Sequence, residues 1–415
     1  MQRILVLGAG FAGLWSALGA TRELDELGAA GRAEVMVVNA TGYHSIRVRN
    51  YEADLDVTRV PLGEVLDPAG VRWVVGTVQG IDTGACEVEV DEQGARRKLQ
   101  YDRLVLALGS RLVHPPIPGL ARCAFDVDTY AGACRLEQHL AGLAQRADAP
   151  GNWTVLVVGA GLTGIELACE LPGRLREIAG AAHAGQVRVL LADRSPVIAQ
   201  AMGGAQPVIA QALADLGVET LPGVSVLEAD EHGARLTDGT RIEAATLVWC
   251  GGMRAHPLME EIPAPRDALG RVPVDEFLRV QGVPGVYAAG DCARALVDGT
   301  HESVMSCQYG RPMGRYAGHN VAAELMGAPL LPMYIDWYTT ILDLGPWGAV
   351  YTEGRDRKLA DQGASAKRTK RLINGQRIYP PRSGKRADLY AAAAPVVQAP
   401  PPMLAGTGAA APLLG

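Results

Sequence analysis

Apolar residues in this chain come in short unbroken runs: ILVL (4–7), VMVV (35–38), LVLA (104–107), VLVV (155–158), VLLA (189–192) and VYAA (286–289). Runs of this kind predict strands buried on both faces, as in a parallel sheet covered by helices. Two of them are followed by the same pattern, in ILVLGAGFAGLWSA (4–17) and VLVVGAGLTGIELA (155–168). Each reads as strand, G-x-G-x-x-G turn and helix start. A different pattern appears at 332–354, where β-branched and aromatic residues alternate around 343–346 and predict a hairpin. From 391 onward the composition is rich in Ala, Pro and Gly, which predicts a disordered tail.

The repeated turn makes the same physical demand in both copies. The first glycine (Gly8, Gly159) allows a sharp turn and the second (Gly10, Gly161) lets the backbone approach a pyrophosphate. The third (Gly13, Gly164) lets helix and strand pack closely. Free N–H groups at the following helix N-terminus favour phosphate. Two dinucleotide sites are therefore expected. In such folds the second strand ends in a residue that binds the adenosine ribose. Asp193 holds that place after the second turn and Asn39 after the first. A carboxylate suits a free 2′-hydroxyl and repels a 2′-phosphate by about 4 kcal/mol at an effective dielectric of 20, so NADH is favoured over NADPH. Arg194 acts in the opposite sense, because a guanidinium can turn in and bind the phosphate.

Composition narrows the function classes. The chain has 415 residues, 48% hydrophobic and 20% charged, which allows two or three well-cored domains. A net charge of −6 gives no reason to expect nucleic acid. A strand starting at Ile4 leaves no room for a signal peptide, and no apolar run reaches spanning length. A cytoplasmic protein is expected. Seven scattered cysteines without C-x-x-C exclude a disulfide framework, zinc knuckle or thioredoxin-like dithiol, and read as small buried apolar side chains. No metal site is expected.

Two further stretches, YDRLVLALGS (101–110) and GVYAAGDCA (285–293), complete a constellation. It resembles the two-dinucleotide-binding flavoprotein reductases, the pyridine nucleotide-disulfide oxidoreductase superfamily. The resemblance implies an α/β fold of two Rossmann-like domains, the second inserted in the first, plus a small C-terminal α+β region. The expected boundaries are 1–118 and 272–325 for an FAD-binding domain and 119–271 for an NAD(P)H-binding domain. A cap or interface region would cover 326–390, and a tail 391–415. The first turn would hold FAD and the second NADH, with Gly109 at a backbone turn and Asp291 on the ribitol. Leu108 stands where the family pattern usually has threonine.

Within that superfamily the chain most resembles type II NADH dehydrogenases (NADH:quinone oxidoreductases) and their sulfide:quinone reductase relatives, over roughly 1–325. LVWCGGMRAHPL (247–258) looks like the strand whose glycines, Gly251 first, pass near nicotinamide. Glu166 falls where the family keeps a nicotinamide-facing glutamate, although by position alone it is a solvated residue of the first helical turn. CQYGRPM (307–313) aligns with a helix facing flavin and quinone. Gln308 is retained, Pro312 replaces a glutamine, and Gly310 and Gly314 are expected to add backbone freedom. Proline should make that helix begin at or after 312, or distort it.

The implied activity is hydride transfer from NADH to FAD and onward to a small acceptor such as a quinone. Alternatives are a reductase for a specialised small molecule and a flavin-containing sensor. The basic stretch 366–386 reads as a solvated helix or as a loose peripheral contact with the inner face of a membrane. Half of the aromatic cluster Tyr334, Trp337, Tyr338 and Trp347 could line an acceptor site. A packed cap or homodimer surface is the other reading of that cluster.

Overall fold

The computed structural model describes residues 1–404. The apolar runs form two five-stranded sheets, parallel throughout. In the first, strand Gln2–Leu7 lies between Ala33–Asn39 and Arg103–Leu106, with Arg72–Val75 and Val286–Ala288 at the edges. In the second, Thr154–Val158 lies between Arg188–Asp193 and Thr246–Trp249, with Val218–Pro222 and Ala124–Phe125 at the edges. Ile4, Leu5, Val6 and Leu7 are fully buried, as are Val155, Leu156 and Val157. Burial on both faces is why these strands read as continuous rather than alternating.

The two units share a topology as well as a turn. Counted from the strand before the glycine turn, each continues from its third parallel strand into a three-stranded antiparallel meander, 77–100 in one and 226–243 in the other. Each then returns to the far side of its first strand. The edge strand Val286–Ala288 joins the first sheet only after the second unit is complete. The chain therefore leaves the first sheet, builds the second and comes back.

What comes back is the long helix Cys307–Met326, which packs along the first helix, Phe11–Glu26. The contact runs in parallel: Gly310 lies against Phe11, Gly314 against Ala12 and Trp15, and Gly318 against Ser16 and Ala20. A Cβ at Gly314 would lie 2.3 Å from the Ala12 carbonyl oxygen, and one at Gly318 would lie 2.3 Å from that of Ser16. These glycines provide close backbone approach, not freedom. The expectation about Pro312 is also corrected. The helix starts at Cys307, capped by Ser306, and runs through the proline. Proline there removes only the hydrogen bond to the Gln308 carbonyl, and packing against the first helix outweighs that loss.

The C-terminal region contains the predicted hairpin, Thr339–Asp343 with Ala349–Glu353, and a third strand, Lys358–Gln362. Helix Gly363–Leu372 and a π-helical turn, Ile373–Arg377, follow. The basic stretch is not a solvated helix. Lys370 is buried, Lys367 pairs with Asp343, and Arg382 pairs with Glu64. The tail also departs from expectation. Helix Arg386–Ala392 leads into a segment held by the Tyr351 hydroxyl on the Pro401 carbonyl (2.9 Å) and the Thr369 hydroxyl on that of Pro402 (3.0 Å). Buried donors at 351 and 369 need acceptors, and this segment supplies them. The rest of the expected tail, 405–415, lies outside the described residues. All seven cysteines are free thiols; Cys169 and Cys292 are buried as expected, but Cys86 sits exposed in a turn.

The helix crossing generates a paired prediction. Gly314→Ala should cost on the order of 2 kcal/mol by overpacking. Gly173→Ala, on an exposed helical face with nothing within 4 Å of the new Cβ, should be neutral or stabilising by up to about 1 kcal/mol. Denaturant midpoints of the two variants provide the check.

Candidate active site

The first turn has the geometry that a pyrophosphate cradle requires. A Cβ at Gly8 would sit 2.4 Å from the Ala107 carbonyl oxygen, and one at Gly13 would sit 1.8 Å from that of Gly8, whereas nothing lies within 4 Å at Gly10. The first and third glycines are filled by protein and the second faces open space. The second turn repeats this arrangement. Gly159 and Gly164 are tight against backbone, the latter at 1.8 Å from the Gly159 carbonyl oxygen, and Gly161 is open.

Each strand-end residue closes its own turn. Asn39 Oδ1 accepts from the Ala9 N–H at 2.9 Å, and Asp193 Oδ2 accepts from the Ala160 N–H at 2.7 Å. The Asn39 amide also donates to the carbonyls of Thr41 (2.8 Å) and Tyr43 (3.2 Å). An amide can bind loop carbonyls in this way and a carboxylate cannot. Burial would raise the Asp193 carboxyl, but the N–H groups of Ser195 and Ala160, with Arg194 nearby, hold it below its usual range.

A cavity of about 800 Å³ opens from the first turn, within the range of cofactor sites. Its wall includes Gly8, Gly10, Asn39, Gly109, Asp291, Glu166 and Gln308. Gly13 is packed behind the turn. Gly159, Gly161, Gly164, Asp193 and Gly251 are not on this wall, but Leu162 and Thr163, which open the helix after the second turn, are. The cavity thus reaches from one glycine turn to the helix start of the other.

Three features suit an elongated, polar-edged ligand such as FAD. Asp291 is half-buried and accepts from the Ser110 hydroxyl at 2.6 Å; loss of solvent around it raises its carboxyl, opposed by Ser110 and Arg47. Arg47 in turn donates to Ser110 and pairs with Asp128. Gln308 Nε2 is a buried donor without a partner among the described residues. The N-termini of helices Phe11–Glu26 and Cys307–Met326 border the same cavity, where both dipoles favour negative charge.

Glu166 is not the solvated first-turn residue that its position suggests. It is the fifth residue of helix Leu162–His183, 6% exposed. Its Oε1 accepts from Lys370 Nζ at 2.7 Å and from the Asp343 N–H at 3.1 Å. Burial pushes its carboxyl up, and Lys370 acts against that. Lys370, Arg47, Ser110 and Asp128 escaped the sequence reading. For Lys370 a signal existed, since Lys367 and Lys370 are spaced i, i+3 on one helical face beside small residues. The aromatic cluster divides: Trp337 and Tyr338 line the cavity, Tyr334 is exposed, and Trp347 donates to Asp215 at 2.9 Å outside it.

Comparison with known proteins identifies the family and the fold. Residues 2–314 match the family model described as pyridine nucleotide-disulphide oxidoreductase. An NADH dehydrogenase-like protein of Mycobacterium tuberculosis is 57% identical over 403 residues, covering 97% of this chain and 100% of that one. A type II NADH:quinone oxidoreductase of Staphylococcus saprophyticus is 27% identical, covering 91% and 95%. Among solved structures, NDH2 from Plasmodium falciparum in complex with NADH aligns with a TM-score of 0.76 at 14% identity, covering 94% of this chain and 97% of that one. The chain belongs to the pyridine nucleotide-disulphide oxidoreductase family.

His44 makes the site acid-sensitive. Its ring is buried, with Nδ1 2.8 Å from the Ala9 carbonyl oxygen in the first turn, and Arg311 lies close by. Burial is the main cause that lowers its pKa from 6.5 to about 4. The neutral ring therefore contributes stability in full above pH 6.5, and that contribution is withdrawn as pH falls towards about 4. The loss is on the order of 3 kcal/mol. His256, which lies on the cavity wall and is lowered to about 4 by burial, adds in the same sense. Melting temperatures between pH 7 and pH 4.5 should fall less steeply for His44→Gln than for the wild type.

Proposed function

We propose that this oxidoreductase is an FAD-dependent NADH dehydrogenase that hands electrons to a quinone or a similar small acceptor. FAD and NADH are its cofactors. The reading is carried by the shared wall. Gly8 and Gly10 of the first turn, and Leu162, Thr163 and Glu166 beyond the second, border one cavity. Ligands seated on the two turns can meet there. Bound FAD supplies the redox chemistry; the chain's own residues supply position, charge and exclusion of water.

The roles follow from the contacts. Gly8, Gly10 and Gly13, with Asn39 and Gly109, shape the FAD site, and Asp291 keeps one carboxylate oxygen for a ribitol hydroxyl while Ser110 holds the other. Gly159, Gly161, Gly164 and Asp193 shape the NADH site, with Gly251 on the strand end beside it. Glu166 binds Lys370 and the Asp343 N–H through Oε1, which leaves Oε2 to orient the nicotinamide amide. Gln308 Nε2 and the helix N-terminus around it favour electron density on a ring seated in the cavity. On this reading 1–118 and 272–325 form the FAD domain and 119–271 the NADH domain. The return of strand Val286–Ala288 to the first sheet supports that division. Residues 326–390 then close the acceptor side.

Among the described residues no helix is long and apolar enough to cross a membrane. Within 366–386, Lys367, Lys370 and Arg382 are ion-paired inside the chain, while Arg368, Arg371, Lys385 and Arg386 are exposed with no ion pair among the described residues. At roughly 1 kcal/mol for each basic residue near an anionic surface, membrane contact through them is loose and released by salt.

Two measurements test the reading. In stopped flow, NADH should reduce the bound flavin with an apparent affinity roughly tenfold or more better than NADPH, because Asp193 repels a 2′-phosphate. Asp193→Ser should bring the two coenzymes towards parity. A faster, tighter reaction with NADPH would mean that Arg194 governs the pocket. In steady state, soluble short-chain quinones should sustain NADH oxidation. Rapid flavin reduction with no quinone able to re-oxidise it would transfer the assignment to a specialised-substrate reductase.

A further inference from the structure

One side of the cavity holds cations that nothing among the described residues neutralises. Arg311 and Arg315 project from the long helix onto its wall and are 8% and 2% exposed. Arg377 reaches the same wall from the π-helical turn. None of the three has an ion-pair partner among the described residues, in contrast to Arg47 with Asp128 or Lys370 with Glu166. Arg315 reaches only the Val396 carbonyl, at 3.5 Å, and Arg377 only that of Ala399. Arg311 donates to no described residue, and the Nε atoms of Arg311 and Arg315 are buried without partners. Residues 405–415 contain no Asp or Glu.

The environment opposes this charge. Burial is the main cause that lowers Arg311 to about 10 and Arg315 to about 9, and the cations repel one another; both stay protonated at neutral pH. The indole of Trp15 lies beneath them, 5.5 Å and 4.6 Å from the two guanidinium carbons. That ring offers a weak cation–π contact rather than a counter-charge. Buried charges in proteins are paired or bind a ligand. Guanidinium groups in particular match planar oxyanions. The same wall carries the apolar and aromatic Trp337, Ile378, Val397 and Pro401, together with the neutral polar side chains of Asn374 and Gln398.

We infer that the acceptor subsite of this enzyme takes a compact, negatively charged ring compound, a quinone-like molecule bearing a carboxylate or similar oxyanion. Arg311 and Arg315 bind the anion, and Arg377 with segment 396–401 closes over it. The inference rests on the NADH:acceptor reading above and sets the class of acceptor. In the net reaction NADH gives up two electrons and one proton, solvent supplies a second proton, and the two acceptor carbonyls become hydroxyls. The anion takes no part in the bond changes; it fixes the ring.

A matched pair of acceptors tests this on the FAD-loaded enzyme: neutral 1,4-naphthoquinone and 1,4-naphthoquinone-2-sulfonate. Intrinsic reactivity differs between them, so the ratio of their KM values is compared across variants. Arg311→Met and Arg315→Met should each raise KM for the sulfonate roughly 10- to 100-fold more than KM for the neutral quinone. Arg311→Lys should recover part of the loss. Independently of turnover, redox-inert naphthalene-2-sulfonate should quench tryptophan fluorescence of the wild type saturably, and the double Met variant should lose that response. An equal effect on both quinones would overturn the proposal. So would failure of the wild type to bind the sulfonate, or loss of FAD from the variants, which would assign the arginines to the cofactor. An enzyme that binds the sulfonate but whose flavin NADH does not reduce would instead overturn the dehydrogenase reading.

Discussion

The site depends on how closely two helices can approach. Helices Phe11–Glu26 and Cys307–Met326 run parallel, and their contact is made of backbone because Gly314 and Gly318 carry no Cβ to hold them apart. Parallel packing brings both N-termini to one end, and that end is the cavity. One N-terminus belongs to the first glycine turn; the other carries Cys307 and Gln308. A larger residue at 314 or 318 would separate the dipoles as well as loosen the core. The same crossing explains why a proline is tolerated at 312, since neighbouring contacts hold the helix where one backbone bond is missing.

A second constraint is the handling of buried charge. Lys370 with Glu166 joins the C-terminal helix to the second nucleotide unit, and Lys367 with Asp343 ties that helix to the hairpin. The Asp343 carboxylate also accepts from the Tyr51 hydroxyl at 3.3 Å, in the first unit. The C-terminal region is therefore part of the site's wall, fastened to both units by groups whose removal would leave an uncompensated charge behind. Against that background the unpaired arginines stand out: among the described residues Arg271, Asp343, Lys370 and Glu166 are buried in ion pairs, whereas these arginines face the cavity.

The parts of this architecture legible in the sequence are those written locally. A glycine turn needs three glycines at fixed spacing beside a buried strand, so Gly8–Gly13 and Gly159–Gly164 carry their own context. The hairpin at 339–353 was legible for the same reason, since alternation is a local property. The glycines at 310 and 314 read as flexible by sequence because their partners, Phe11, Ala12 and Trp15, are about three hundred residues away. By position alone Glu166 reads as solvated because its cation is Lys370, and Lys367 and Lys370 read as surface charge because their carboxylates are distant in the chain. The tail up to 404 reads as disordered from composition, which is blind to donors such as Tyr351 and Thr369 that need acceptors. Sequence spacing reports backbone geometry well and pairing across the fold poorly.

The central claim is that one cavity serves both nucleotide turns, so that what binds at the second reacts with what is held at the first. Anaerobic titration of the FAD-loaded protein with NADH, followed through the flavin absorbance, tests it most directly. The account predicts stoichiometric bleaching that is complete before any acceptor is added and reversed when a quinone follows. A protein that retains FAD and binds NADH, yet keeps its flavin oxidised throughout the titration, would contradict it.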